Sequence, residues 1–490
     1  MSKPPGAMSS GSSYALQGRA LWLSFAAATT GTLMVNLDAT VVNVALPVMQ
    51  HEFGLPVALL QWVVTAYLLV ITGVLPLTAQ VADWLGRSRL FTLGLLGFAL
   101  GSVAAALAPN LSALLAARAL QGLGGAIIQA NVMAIVALTF PQDQRGRALG
   151  LIAAVVAAGN LLGPPIGGVL TAFFGWRSIF WVNVPVGIWG VWASWRYLPH
   201  FARDVSLRPA AFDWLGSVLF FAGATTLEFG LTDLPSRSSL WLLILTALLG
   251  YLFVRREARA PRPVMPLRLF QIPPFWRNLI SGLAYWVLMM APSFLLPFYL
   301  RVVLHEPMAL VGISIAPQAL VMILLAPIGG RIADRIGVML PGRLGLGVFA
   351  VADLLFALWP GGPPLWGVWL LSGLVGAAAG LFNAPNNTAV LNSVPLADTG
   401  VASGLLATQR NLGRILGVAA AAMGLSLYWL LTGGSLNPSH TSPAYPHLFL
   451  AAFRAVFLVM PLFAALGILT MTPPGKERLA ESEAAAGESR

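Results

Sequence analysis

Six charged residues single themselves out within the long apolar runs of this 490-residue chain: Asp38, Glu228, Asp353, Arg118, Arg410 and Arg414. Asp38 comes first. It lies in Leu37-Asp38-Ala39-Thr40-Val41-Val42-Asn43-Val44-Ala45-Leu46-Pro47, within an apolar run from about Ala20 to Pro47 that is long enough to cross a bilayer. A charge at that depth costs at least ~2.5–3 kcal/mol on the mildest insertion scale, so it belongs inside a bundle or beside a wet cavity. A cavity that opens alternately can move such a carboxylate between its charged and neutral forms, which makes Asp38 the leading proton carrier. Arg118 keeps its proton and can only hold or tune a neighbour, or pin a helix. Spacing does not decide whether the two pair. Glu228 and Asp353 rank below Asp38, as carboxylates at helix ends or in pairs.

Other chemistry finds no support. There is no His/Asp/Glu cluster with metal-ligand spacing, no nucleophile motif and no phosphate loop, and His51, His200, His305, His440 and His447 fall in predicted loops or at their edges. An enzyme, a cofactor and a metal are not expected.

The elements that must position these residues are read from composition. With 58% hydrophobic and 9% charged residues, against roughly 25% charge in a soluble domain, this is an integral membrane protein. Apolar runs lie near 20–47, 58–80, 89–108, 112–139, 146–174 and 177–198, then 212–232 and 239–254. Further runs lie near 275–303, 308–330, 344–359, 365–393, 397–431 and 447–471, giving about fourteen helices by length. The runs lack the alternation of a β-barrel, so the class is all-α.

The net charge of +11 is explained by the positive-inside rule. Arg87, Arg89, Arg145, Arg147, Arg196, Arg255, Arg256, Arg331, Arg335 and Arg343 gather with both termini, while the opposite loops hold only Arg177, Arg237 and Arg301, with Arg454 near the start of the last helix. Both termini are therefore expected in the cytoplasm, and nucleic acid is not needed as a partner. Cysteine is absent, so there is no disulfide framework.

An internal repeat organises the chain. Ala82-Asp83-Trp84-Leu85-Gly86-Arg87 follows the second helix, and Gly330-Arg331-Ile332-Ala333-Asp334-Arg335-Ile336-Gly337 the tenth. Two halves in parallel orientation, related by an axis along the membrane normal, produce such a pattern. The copies are eight helices apart, so two helices are inserted between six-helix halves. The expected organisation is a disordered tail over 1–19, an N-terminal half over 20–198, inserted helices over 199–254, a basic amphipathic linker over 255–274, a C-terminal half over 275–472 and a second tail over 473–490.

Taken together, the motifs resemble the major facilitator superfamily, and within it the 14-helix drug:proton antiporter family. Asp38 to Pro47 matches the first-helix motif Asp-x-Thr-x-x-Asn-x-Ala-Leu-Pro. Asp83, Gly86, Arg87 and Arg89 match the loop motif after the second helix, with Ala79 where glycine is usual. Arg118, Gln121 and Gly122 match the fourth-helix motif. Gly159, Gly163, Pro164, Gly167 and Gly168 match the fifth-helix antiporter motif, and Trp176-Arg177 with Asn183-Val184-Pro185-Val186-Gly187 the opening of the sixth helix. The resemblance runs from Ala20 to Met471.

It implies a proton-coupled exporter of lipophilic or cationic small molecules by alternating access, multi-pass in a bacterial plasma membrane and monomeric, with protons and the bilayer as its other partners. An exporter of an endogenous lipid or metabolite is the alternative; a membrane sensor or enzyme is a more distant one. The family pattern implicates Arg118 in proton transfer beside Asp38. The glycine run from Gly159 leaves a face that lets another helix approach closely, as a seal or pivot or as static packing. The Asp83 and Asp334 loops, with Gly330 and Arg335, read as gates at the membrane surface.

Substrate-cavity candidates divide between the halves. Asn36, Asn43, Tyr67, Gln121, Gln129 and Asn160 come from the first. Asn36, Thr40 and Asn43 share one helix face, with Asp38 about 160° away from Asn36 at ~100° per residue. From the second half come Trp286, Met290 and Phe294 on a soft aromatic surface, and Gln318. Asn383 and Asn387 flank Pro385, which reads as a break in a cavity-lining helix. Arg410 falls where the family keeps an arginine, whereas Arg414 replaces the expected glycine.

Overall fold

In lipid a helix hides all of its own backbone polar groups, and each long apolar run of this chain forms one. The computed structural model describes residues 18–199, 213–232, 236–260, 263–395, 398–432 and 444–473, apart from the side chains of Ala79, Gln80, Asp83, Gln142, Asp143 and Ala153. Nearly all of both expected tails, and most of 199–213, lie outside the described residues. The first half comprises α1 (Gly18–Phe53), α2 (Val57–Leu60), α3 (Trp62–Leu85), α4 (Arg87–Ala106), α5 (Leu111–Thr139), α6 (Gln142–Phe174), α7 (Ser178–Trp181) and α8 (Asn183–Tyr197). Then come α9 (Trp214–Thr232), α10 (Arg237–Glu257) and a 3-10 turn at Leu267–Gln271. The second half holds α11 (Pro273–Val302), α12 (Met308–Ile336), α13 (Met339–Leu358), α14 (Leu365–Leu391), α15 (Thr399–Leu431), α16 (Tyr445–Val459) and α17 (Pro461–Thr470).

Among the described residues 13 helices are long and apolar enough to cross a membrane. The fourteenth expected helix, over 177–198, is divided at Val182 into α7 and α8 and is shorter for that reason. No strand occurs among the described residues. Local signals set several ends. Asn110 caps α5 by accepting the Ala113 N–H at 2.9 Å, Ser236 caps α10 through Ser239, and prolines open α11, α16 and α17. The expected break at Pro385 does not occur: α14 is one helix with Pro385 inside it. A proline removes one donor, and a turn surrounded by other helices tolerates that loss.

The halves meet along α6 with α12, α3 with α15, and α1 with α11. Exchanging α3 with α12 and α6 with α15 turns the first contact into the second, the signature of two parallel repeats. The repeated loop fits this. Gly86 at φ 94° and Gly337 at φ 88° each end a helix, donating N–H to the carbonyl four residues back, of Ala82 and Ala333. Only glycine takes that backbone without strain. Gly86→Ala and Gly337→Ala should each lower stability by about 1–2 kcal/mol, read as a fall in thermal midpoint in detergent; Gly330→Ala, with open space around it, should not.

The inserted pair is asymmetric. α9 packs against α3 and α15, one helix from each half, while α10 packs on α9 and leaves most of its surface outward. In the expected linker the 3-10 turn buries Leu269 against Phe275 and Arg268 clasps Asp398 with both terminal nitrogens, at 2.9 and 2.5 Å. It is docked to the second half as well as basic.

Candidate functional site

The charged centre lies inside the first half. α1 brings Asp38, α5 brings Arg118 and Gln121, α8 opens on Asn183, and all four are buried. Arg118 Nη1 donates to Asp38 Oδ2 at 2.5 Å and to Gln121 Oε1 at 2.8 Å, and its Nε donates to the Val63 carbonyl at 2.8 Å. Asp38 Oδ1 accepts from Asn183 Nδ2 at 2.9 Å and Gln121 Nε2 at 3.3 Å. Gln121 Nε2 also donates to Ser102 Oγ on α4. The Arg118 guanidinium lies 4.2 Å from the Tyr67 ring, and the Tyr67 hydroxyl donates to the Val35 carbonyl. Three donors converge on one carboxylate, the arrangement of an ionised, acceptor-only group. One proton added at Asp38 would therefore disturb contacts to α5 and α8 at once.

Asp38 and Asn36 do face different neighbours. A Cβ on Gly159 would lie 3.0 Å from Asn36 Cβ, and one on Gly163 would collide with the Thr40 hydroxyl, so the Asn36–Thr40 side meets α6 while Asp38 meets α5 and α8. Gly167 meets Val41 of α1. Gly168 turns to the other half: a Cβ there would lie 2.7 Å from the Met308 carbonyl and 2.9 Å from Gly312 Cα, and one on Gly312 2.3 Å from the Pro164 carbonyl. The glycine run thus packs α6 on α1 and, at one end, brings two backbones from opposite halves into contact. That end is the arginine-poor one. There Trp176 Nε1 and Arg177 Nη1 hold Glu52 at 2.7 and 2.5 Å, and Gln50 Nε2 donates to the Tyr445 hydroxyl.

The remaining candidates divide. Tyr67 and Gln121 are part of the charged centre. Phe294 is fully buried beside the Phe298 ring, and Met290 is buried and packs on Gly417; an apolar stripe carries no sign of which side it fills. Trp286, Asn160, Gln129, Asn383 and Asn387 are partly exposed. Asn387 donates to Asn383 Oδ1. Gln318 on α12 reaches Met289 and Ser293 of α11, and Asn43 is buried with its Oδ1 free of partners among the described residues. Glu228 faces Thr65 of α3 one turn from the end of α9, and Asp353 sits inside the second half; both are buried, and neither forms an ion pair among the described residues. At the loops, the Asp83 side chain lies outside the described residues, Arg89, Arg331, Asp334 and Arg335 are exposed, and Asp334 forms no ion pair among the described residues. Arg87 is half-buried beside Gly86.

The sequence profile of the Major Facilitator Superfamily matches residues 28–418. The chain is 34% identical over 398 residues to the riboflavin transporter RibZ of Clostridioides difficile (strain 630), covering 81% of this chain and 87% of that protein. It is 31% identical over 434 residues to the multidrug resistance protein Stp of Mycobacterium tuberculosis, covering 86% and 79%. In fold it is similar to a bacterial homolog of the human lysosomal transporter Spinster, with a TM-score of 0.66 at 17% identity over 93% of this chain and 98% of that one. The chain is a multi-pass membrane transporter and belongs to the Major Facilitator Superfamily.

Proposed function

We propose that the chain is a proton-coupled exporter that moves lipophilic small molecules by alternating access, with Asp38 as its main proton site. The observation that carries this reading is the buried Asp38–Arg118 pair, 2.5 Å long and closed to solvent inside the spans. A proton on Asp38 turns an acceptor into a donor and removes the counter-charge of Arg118. An unpaired buried charge costs several kcal/mol, so the protonated centre favours a rearranged bundle in which Arg118 finds other partners. Because Asp38 has no exposed surface, proton exchange waits for the bundle to open. The substrate face of α1, with Asn36 and Thr40, is a different face, so proton and substrate communicate through α1 without sharing a spot. We place the protein in a bacterial inner membrane as a monomer, with both termini and the Gly86 and Gly337 turns cytoplasmic.

The relatives' names favour two substrate classes, drugs of several kinds, or a metabolite of the riboflavin kind. Both are tested in one experiment. The purified chain in vesicles with an imposed pH gradient is given riboflavin and a panel of lipophilic drugs, and proton movement is followed with a trapped dye. Wild type should release protons with its substrate, and Asp38→Asn should lose gradient-driven accumulation while still binding. Accumulation by Asp38→Asn with unchanged pH dependence would sink the assignment.

A further inference from the structure

Among the described residues, the arginines at the centre of the second half form no ion pair. α15 presents Gln409, Gly413 and Gly417 to α11: a Cβ at Gly413 would lie 2.6 Å from Trp286 Cβ, and one at Gly417 2.7 Å from Met290 Cβ. This row mirrors Gly159, Gly163 and Gly167 of α6 against α1. At ~100° per residue, Arg410 and Arg414 stand one step round the helix from it. Their counterparts in α6 are Asn160 and Pro164, and the Pro164 carbonyl is the group that Gly312 of the opposite half approaches. By that correspondence Arg414 belongs at the meeting of α15 with α3.

The contacts agree. The Arg414 guanidinium lies 4.7 Å from the Trp286 ring, and Arg414 is close enough to Arg410, Tyr285 and Tyr67 to interact electrostatically with them. Tyr67 lies on α3, so Arg414 looks across the boundary between the halves. It is 6% exposed, and its Nε has no hydrogen-bond partner among the described residues. Neither Arg410 nor Arg414 forms an ion pair among the described residues. The buried carboxylates of the spans do not compensate them: Asp38 is engaged by Arg118, Gln121 and Asn183, and Glu228 and Asp353 are unpaired.

Two neighbouring guanidinium groups therefore stand within the membrane-spanning bundle with a net positive charge. A single cation there is costly, and a second beside it adds repulsion. An arginine that only filled space would be better replaced by an apolar residue. Guanidinium forks match the oxygens of a carboxylate, sulfonate or phosphate, and the Trp286 and Tyr285 rings supply an apolar surface beside them. A cationic substrate would meet repulsion at the same place.

We propose that Arg410 and Arg414 form the anion-recognising part of the substrate site, so that this protein takes lipophilic molecules bearing a carboxylate, sulfonate or phosphate. This rests on the exporter reading above but not on its proton coupling. The test is equilibrium binding to the full chain in phosphatidylcholine nanodiscs, corrected against empty discs, with no gradient imposed. The probes are 8-anilinonaphthalene-1-sulfonate, its uncharged counterpart N-phenyl-1-naphthylamine, and the cation ethidium.

Wild type should bind the sulfonate at least about tenfold more tightly than the amine, the worth of one charge-assisted hydrogen bond. Arg410→Gln and Arg414→Gln should each cut that ratio by about tenfold, Arg414→Lys, which keeps the charge but loses the fork, should restore only part of it, and retained amine binding shows that the variants are folded. Repeating the titration with phosphatidylglycerol in the discs separates the sources. Unchanged sulfonate binding assigns the site to a soluble lipophilic anion, and competition assigns it to a lipid headgroup. No sulfonate binding, no preference over the amine, tighter binding of ethidium, or a ratio unmoved in both Gln variants overturns the proposal. Loss of proton coupling in Asp38→Asn with this ratio intact, or the reverse, tells failure of one reading from failure of the other.

Discussion

Arg118→Gln is expected to do more damage alone than together with Asp38→Asn. In the native centre Arg118 holds Asp38, Gln121 and the Val63 carbonyl and covers the Tyr67 ring, so its loss leaves Asp38 buried with amide donors and no counter-charge. Removing one member of a buried pair costs about 3–5 kcal/mol, most of it the penalty for the stranded charge. Asp38→Asn strands Arg118 in the same way. The double variant strands nothing, and Asn and Gln can still hydrogen-bond with each other, Asn183 and Gln121. Thermal unfolding of the four proteins in one detergent should give a coupling term of about 2–3 kcal/mol, the upper range for residues in direct contact. Additive losses would mean that the pair is not ionised as the geometry reads. Transport should be lost in all three variants, which separates the structural work of the pair from its work as a proton switch.

Much of this centre was legible from residue types, and the unread part has physical causes. Asp38 announces itself because a carboxylate in an apolar span is expensive, and its separation from the Asn36 face follows from helical periodicity alone. The two repeat turns are readable because glycine at Gly86 and Gly337 is demanded by a positive φ. Asn183 belongs to the sixth-helix motif, and the sequence carries no sign of its place at the site. It reaches Asp38 from α8, 145 positions away in the chain, and no local pattern encodes such a meeting. The Asp38–Arg118 pair itself, 80 positions apart, is hidden for the same reason. Phe294 and Met290 are hidden for another reason. An adaptable apolar surface looks alike whether it faces a cavity or a neighbouring helix, and here Met290 lies against Gly417 and Phe294 against Phe298. The unpaired state of Arg410 and Arg414 needed the whole bundle to be visible, because it is a statement about what does not approach them.

The other large effect is expected where α6 and α12 touch. Gly168 and Gly312 face each other so closely that a methyl on Gly312 would sit 2.3 Å from the Pro164 carbonyl and 2.9 Å from Gly168 Cα. The obstructing atoms are backbone, so no side-chain rotation relieves the clash, and overpacking of this kind costs about 1–3 kcal/mol. In an alternating-access cycle this contact at the arginine-poor end must part. The penalty therefore falls on the conformation seen here and not on its counterpart, and 1.4 kcal/mol is about tenfold in population. Gly312→Ala should accordingly open that end. The chain has no cysteine, so one introduced as Gln50→Cys gives a clean reporter: Gln50 is 5% exposed and donates to Tyr445 across the closed end. Its maleimide labelling should rise about tenfold in the Gly312→Ala background and likewise with Gly168→Ala from the other side, and Gly330→Ala should leave it unchanged. Labelling that stays slow in both glycine variants, with turnover intact, would show that the two backbones pack there without holding the end shut.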